Sequence, residues 1–269
     1  MFIAVIPKRI GSVEREINLT IIMSVIGTIE AWKLAIQFMS DEQQLSLFDL
    51  LPDGEASTRS VQQIDLIPTD ARIPIPSGTY ENLDLLSNHC NQCHRCGLGN
   101  TRIHAVVGRG NSQAPIMVIG EAPGQNEDET GLPFVGKAGQ LLDKILASVG
   151  LNSETDVYIC NVNKCRPPGN RVPTPDEIAA CKPYLLEQIR LVNPKIILLT
   201  GATAVKGVTG DKRGITKIRG TWMEWEGRIC MPILHPAYLL RNPSKEQGSP
   251  KWLMWQDIQA VRAKLDELS

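Results

Sequence analysis

Two groups of residues in this chain have types and spacing suited to chemistry. The first is Gly120-Glu121-Ala122-Pro123-Gly124, a carboxylate inside a turn imposed by two glycines and a proline. Close behind come Glu127 and Asp128, then Gly131-Leu132-Pro133-Phe134-Val135-Gly136, a second Gly/Pro-rich loop carrying one large ring. A lone phenylalanine between Pro133 and Gly136 is poorly placed for a core and well placed to stack on a ligand. Acidic turn and aromatic loop together suit a crevice for a planar molecule.

The second group is the cysteines, seven in all. No secretory signal pattern precedes them, so a disulfide framework is not expected, and metal ligation or free thiols remain. Cys93-x-x-Cys96 is a metal or redox pair, whereas Cys165 and Cys181 lie far along the chain. Zinc sites mostly use two close pairs. One close pair with two dispersed cysteines better suits an iron–sulfur cluster, which binds four thiolates. Lys164, Arg166 and Lys182 would help keep those thiols ionised. On spacing alone, zinc and unliganded thiols stay open, and Cys90-x-x-Cys93 has the same spacing as the first pair. Cys160 and Cys230 sit in apolar runs and read as core.

Elements must hold these groups in place. Pro115–Ile119 is a short β-branched apolar run, read as a buried strand that delivers Glu121 at its carboxyl end. Open α/β sheets bind ligands at such strand ends. Strands are predicted at 115–120, 156–161, 195–200 and 229–234. Helices are predicted at about 137–149, 175–192, 202–208 and 250–267, the second opened by Pro175 with Asp176 and Glu177 in its first turn. Alternation of this kind predicts an α/β fold, a three-layer sandwich about a central, mostly parallel four-stranded sheet.

At 269 residues, 42% hydrophobic and 21% charged, the composition is that of an ordinary globular protein. Its net charge of −1 hides a split. Residues 1–82 hold 6 Lys/Arg against 11 Asp/Glu, and 205–251 hold 9 against 4. The basic segment suits phosphate contacts, although a solvated face would look the same. Ile17–Ile29 is uncharged but only 13 residues long, short of the roughly 20 that span a membrane. Residues 1–38 read as an N-terminal extension ahead of a start at Met39. Residues 39–82 read as an acidic disordered linker, and 83–269 as the catalytic domain. Inside the linker, Gln44-Leu45-Ser46-Leu47-Phe48 resembles the peptide by which bacterial repair proteins dock on the sliding clamp.

Five motifs in order make the pattern specific. They are Cys93-x-x-Cys96-x-Leu98, the Glu121 turn with Glu127-Asp128, the Phe134 loop, Asn161-x-x-Lys164-Cys165-Arg166-Pro167-Pro168, and His235-Pro236-Ala237-Tyr238-Leu239-Leu240-Arg241. From about Cys93 to Leu265 the chain resembles the family 4, iron–sulfur uracil-DNA glycosylases. The resemblance implies a monomeric base-excision repair enzyme of a prokaryotic cytoplasm, associated with the nucleoid. It implies removal of uracil from DNA, and a structural 4Fe–4S cluster on Cys93, Cys96, Cys165 and Cys181, with Cys90 outside the pattern.

The same resemblance implies roles within the site. Phe134 stacks on uracil, and the Asn161 amide donates to O4 and accepts from N3–H, a pairing that cytosine reverses. Glu127 lies near C5, and the main chain of Glu121, Ala122 and Pro123 lines the base pocket. His235 donates to O2 as charge grows on the base, and Glu121 orients or deprotonates the attacking water. The best-known glycosylase family of the superfamily carries Asp one position later, where this chain has Ala122. Tyr238, Leu239 and Leu240 enter the minor groove, while Arg241, Lys212, Arg213, Lys217 and Arg219 hold phosphates. An electron carrier would use the cysteines without Asn161 or His235. A binding module that had lost hydrolysis would not need Glu121.

Overall fold

Apolar runs of five or six residues, buried on both faces, form the centre of the fold. A computed structural model describes residues 70–268. Its strands are β1 (Arg109–Gly110), β2 (Ile116–Gly120), β3 (Val157–Asn161), β4 (Ile196–Thr200), β5 (Met223–Trp225) and β6 (Arg228–Ile233). Its helices are α1 (Leu83–Gln92), α2 (Gln125–Thr130), α3 (Lys137–Ala147), α4 (Pro175–Val192), α5 (Ala202–Thr209), α6 (Ile215–Ile218), α7 (Pro236–Arg241) and α8 (Pro250–Glu267).

The strands form one mixed sheet in the order β1-β3-β2-β4-β6-β5. Six strands replace the four expected. The inner four run parallel, and the additions are short antiparallel strands at the two edges. After β3 the chain crosses β2 to reach β4, so the sheet order reverses beside β2, where a crevice opens at the strand ends.

Alternation along the strands sends side chains to opposite faces. Ile116, Val118, Ile159, Leu198 and Ile233 pack with Leu142 and Leu146 of α3 and Met254, Ile258 and Val261 of α8. Met117, Ile119, Cys160, Ile197 and Leu199 pack with Leu185 and Ile189 of α4 and Val205 and Val208 of α5. Helices therefore cover both faces.

The linker expected up to residue 82 ends earlier. Tyr80 is 3% exposed and packs against His89 and Tyr184. Glu187 Oε1 accepts from the Gly78 N–H at 3.0 Å, and Arg190 Nη2 donates to the Tyr80 carbonyl at 2.5 Å. A chain starting at residue 70 therefore keeps these contacts. One starting at 83 should melt several degrees lower, because removing a buried aromatic costs about 3–5 kcal/mol. Equal melting temperatures would refute that boundary. The expected extension 1–38 and the segment Gln44–Phe48 lie outside the described residues, as does most of the expected linker. Among the described residues no helix is long and apolar enough to cross a membrane.

Candidate functional site

The carboxyl ends of β2, β3, β4 and β6 open onto one cleft of about 590 Å³. Glu121, Ala122, Pro123, Glu127, Phe134, Asn161, His235 and Arg241 all line it. Residues more than 110 positions apart in sequence thus meet in one cavity. Leu239 does not join them: it is 1% exposed and packs in the core below α7, so its expected place in the minor groove is corrected. Leu240 and Tyr238 are exposed on the same helix.

Phe134, expected to be poorly placed for a core, is corrected: it is buried and packs with Leu142 and Leu146 while also lining the cleft, and it is held in an unusual backbone conformation. Its φ is +55°, a left-handed geometry that costs a non-glycine residue about 1–2 kcal/mol. Neighbouring groups enforce it. Glu127 Oε1 accepts from the N–H groups of Val135 and Gly136 at 3.0 and 2.8 Å, and its Oε2 accepts from Gly124 N–H at 3.1 Å. Arg109 Nε donates to the Pro133 carbonyl at 2.9 Å, and the same guanidinium pairs with Asp143. A Cβ at Gly139 would overlap the Phe134 main chain, so only glycine lets α3 pass there. The Glu127 carboxylate, expected near C5 of the base, is thus committed to three main-chain N–H groups. It ties the acidic turn to the aromatic loop.

Asn161 closes β3 opposite Gly120 and is 2% exposed. A Cβ on Gly120 would overlap Asn161 Oδ1 and fall 2.6 Å from Phe134 Cζ. The amide and the ring therefore converge over one glycine. The rings of Phe134 and His235 stand 5.9 Å apart at 28°. All three side chains face a common space.

His235 caps the start of α7, and its Nδ1 accepts from the Ala237 N–H at 3.1 Å. An acceptor nitrogen carries no proton, so in the neutral ring the proton sits on Nε2. Burial and, after it, the nearby Arg241 push the His235 pKa down to about 4. The ring is therefore uncharged at neutral pH, with Nε2–H as its one ring N–H. Proton binding to the folded protein at this residue begins only as pH falls toward 4, below the usual value of 6.5. Nitrogen-15 spectra should show an Nε2–H imidazole from pH 8 down to about 5. An inflection near 6.5 would contradict the assignment.

Of the expected phosphate contacts, Arg241, Lys212 and Lys217 are exposed. Arg219 is not available: its Nε donates to the buried Asp257 at 2.7 Å, so it is a packing residue. Arg213 folds back on Asp211 at 2.9 Å. Lining residues that the sequence reading passed over are Asn170, Arg171 and the run Thr200–Thr203. The strand-end rule that singled out Glu121 and Asn161 applies equally to Thr200, which ends β4.

Cys90, Cys93, Cys96, Cys165 and Cys181 lie close enough to act on one another's thiols. Burial pushes the thiol pKa of Cys165 up to about 11 and that of Cys181 up to about 12, and both also feel Cys93. Cys96 is raised by burial and by Cys93. Donors point at three sulfurs: the N–H of Arg95 at Cys93 Sγ (3.5 Å), that of Lys164 at Cys181 Sγ (3.3 Å), and Arg102 Nη1 at Cys165 Sγ (3.4 Å). Among the described residues no three His, Cys, Asp or Glu side chains are grouped as ligands of a single metal ion. N–H donors to sulfur are the surroundings an iron–sulfur cluster uses. The residues fit that group.

A profile of the uracil DNA glycosylase superfamily matches residues 107–259. The type-4 uracil-DNA glycosylase of Thermotoga maritima is 49% identical over 185 residues, covering 68% of this chain and 94% of that protein. That of Saccharolobus solfataricus is 44% identical over 171 residues, covering 61% and 79%. A type-5 uracil-DNA glycosylase of Pyrobaculum aerophilum is 30% identical over 165 residues, covering 51% and 73%. With the strand-end cleft and the cysteine set already in place, this chain belongs to the uracil DNA glycosylase superfamily, among its type-4 enzymes.

Proposed function

We infer that the protein hydrolyses the N-glycosidic bond of uracil in DNA, releasing uracil and leaving an abasic site. The observation that carries this reading is the convergence of Phe134, Asn161 and His235 on one cleft. C1′ is shielded inside a duplex, so the nucleotide must first leave the stack, at a cost of a few kcal/mol. Exposed Leu240 and Tyr238 are suited to fill the vacated space, and Arg241 to hold a flanking phosphate. Inside the cleft the uracil ring lies on Phe134. Asn161 Nδ2 donates to O4 and Oδ1 accepts from N3–H.

As the C1′–N1 bond lengthens, its electron pair moves onto the base and negative charge grows at O2. His235, neutral with its proton on Nε2, donates to that oxygen, and such a donor contributes about 2.7–4 kcal/mol in comparable sites. Glu121, half-buried at the cleft wall, orients a water and takes its proton as the oxygen adds to C1′. Its charge also favours the cationic sugar. Cys93, Cys96, Cys165 and Cys181 would hold a 4Fe–4S cluster, which when bound supplies a rigid cross-link between the loop after α1, the loop after β3 and α4.

The test is incubation with a uracil-containing oligonucleotide followed by alkali. Strand scission at the uracil is expected, and an intact strand would reject the reading. An absorbance near 400 nm with about four irons per chain is expected for the cluster, and zinc in its place would reject it. The reading extends to a monomer that docks on the sliding clamp through Gln44–Phe48. Gln44→Ala with Phe48→Ala should then abolish capture on immobilised clamp, and undiminished capture would reject the docking.

A further inference from the structure

Lys164 is 1% exposed, an uncommon place for a lysine, and the mechanism above makes no use of it. It lies in the turn between the base-reading strand end and the cysteines. Its Nζ donates to the main-chain carbonyl of Asn161 at 2.5 Å. Its main-chain N–H donates to Cys181 Sγ at 3.3 Å, and its carbonyl accepts from Val106 N–H at 2.7 Å. One residue is thus tied by its backbone to the cysteine set and by its side chain to the peptide that carries the amide.

We propose that Lys164 is a positioning residue: it transmits the rigidity of the cysteine set to the Asn161 peptide and so fixes where the base-reading amide points. The proposal rests on the base-reading role of Asn161. The carbonyl it caps is continuous with the Asn161 Cα, so tilting that peptide swings the Cα–Cβ bond. Little swing is tolerated, because Asn161 Oδ1 already fills the space over Gly120. A misplacement on the order of 1 Å costs about 10²-fold in rate.

The test uses the iron-loaded full chain and reads the Kd of free uracil by calorimetry, with iron content as a second readout. Lys164→Met removes the donor and should weaken uracil binding about tenfold, the size of one buried hydrogen bond lost, with iron per chain unchanged. Lys164→Gln keeps a side-chain N–H and should recover part of that loss. In an Asn161→Ala background, Lys164→Met should add less than about threefold, because both changes remove one coupled unit. An equal loss in both backgrounds would overturn the proposal. So would failure of both Lys164 variants to fold where Asn161→Ala folds, which would make Lys164 a residue of the fold alone. Unchanged uracil affinity in Asn161→Ala by itself would remove the base-reading role, and the proposal with it.

Discussion

Asn161→Asp is expected to lower uracil release by about two to three orders of magnitude and to create measurable release of cytosine. The argument turns on donors and acceptors. Uracil presents an acceptor at O4 and a donor at N3, which the amide matches with one donor and one acceptor. Cytosine presents a donor at N4 and an acceptor at N3, so against Asn161 both contacts fail. An ionised Asp has no donor. It leaves O4 of uracil facing a carboxylate, and it can accept from the cytosine N4 amine. Because residue 161 is 2% exposed, water cannot make up the lost contact. A buried mismatch of this kind discriminates far more strongly than a missing methyl group does. Release from matched U·G and C·G duplexes measures the switch, and an unchanged preference would remove Asn161 from base reading.

The second large effect is expected from a single methyl group. Gly120→Ala would put a Cβ on top of Asn161 Oδ1 and 2.6 Å from Phe134 Cζ. The backbone cannot yield, since β2 is paired on both sides up to this point, Ile119 lying against Cys160 and Leu199. The amide or the ring must therefore move. Loss of kcat/KM by more than about 10²-fold is expected, with a lower melting temperature, because Phe134 both lines the cleft and packs in the core with Leu142 and Leu146. Alanine at 120 with full activity would mean that neither side chain needs its observed position.

Much of this was legible in the sequence. The inner strands fall within a residue of their expected ends, because runs such as Ile196-Ile197-Leu198-Leu199 are buried on both faces and bounded by turn residues. Edge strands β1 and β5 were not legible, since two or three residues cannot display a period of two. Strand ends led to Glu121 and Asn161 but not to Thr200, whose neighbours Gly201 and Ala202 carry no ionisable group. Glu127 and Arg219 show what side-chain type alone does not reveal. Each has a charge suited to ligand binding, yet one holds main-chain N–H groups and the other a buried carboxylate. Leu239 and Leu240 are adjacent and chemically identical, and only the helical turn of α7 sends one inward and the other out.

A crystal structure of the iron-loaded protein with free uracil tests the central claim most directly. The account predicts the base lying flat on Phe134, its O4 and N3 on the Asn161 amide, and its O2 within hydrogen-bonding distance of His235 Nε2. Uracil bound away from these three side chains, or seated there with its O2 turned from the imidazole, would contradict it.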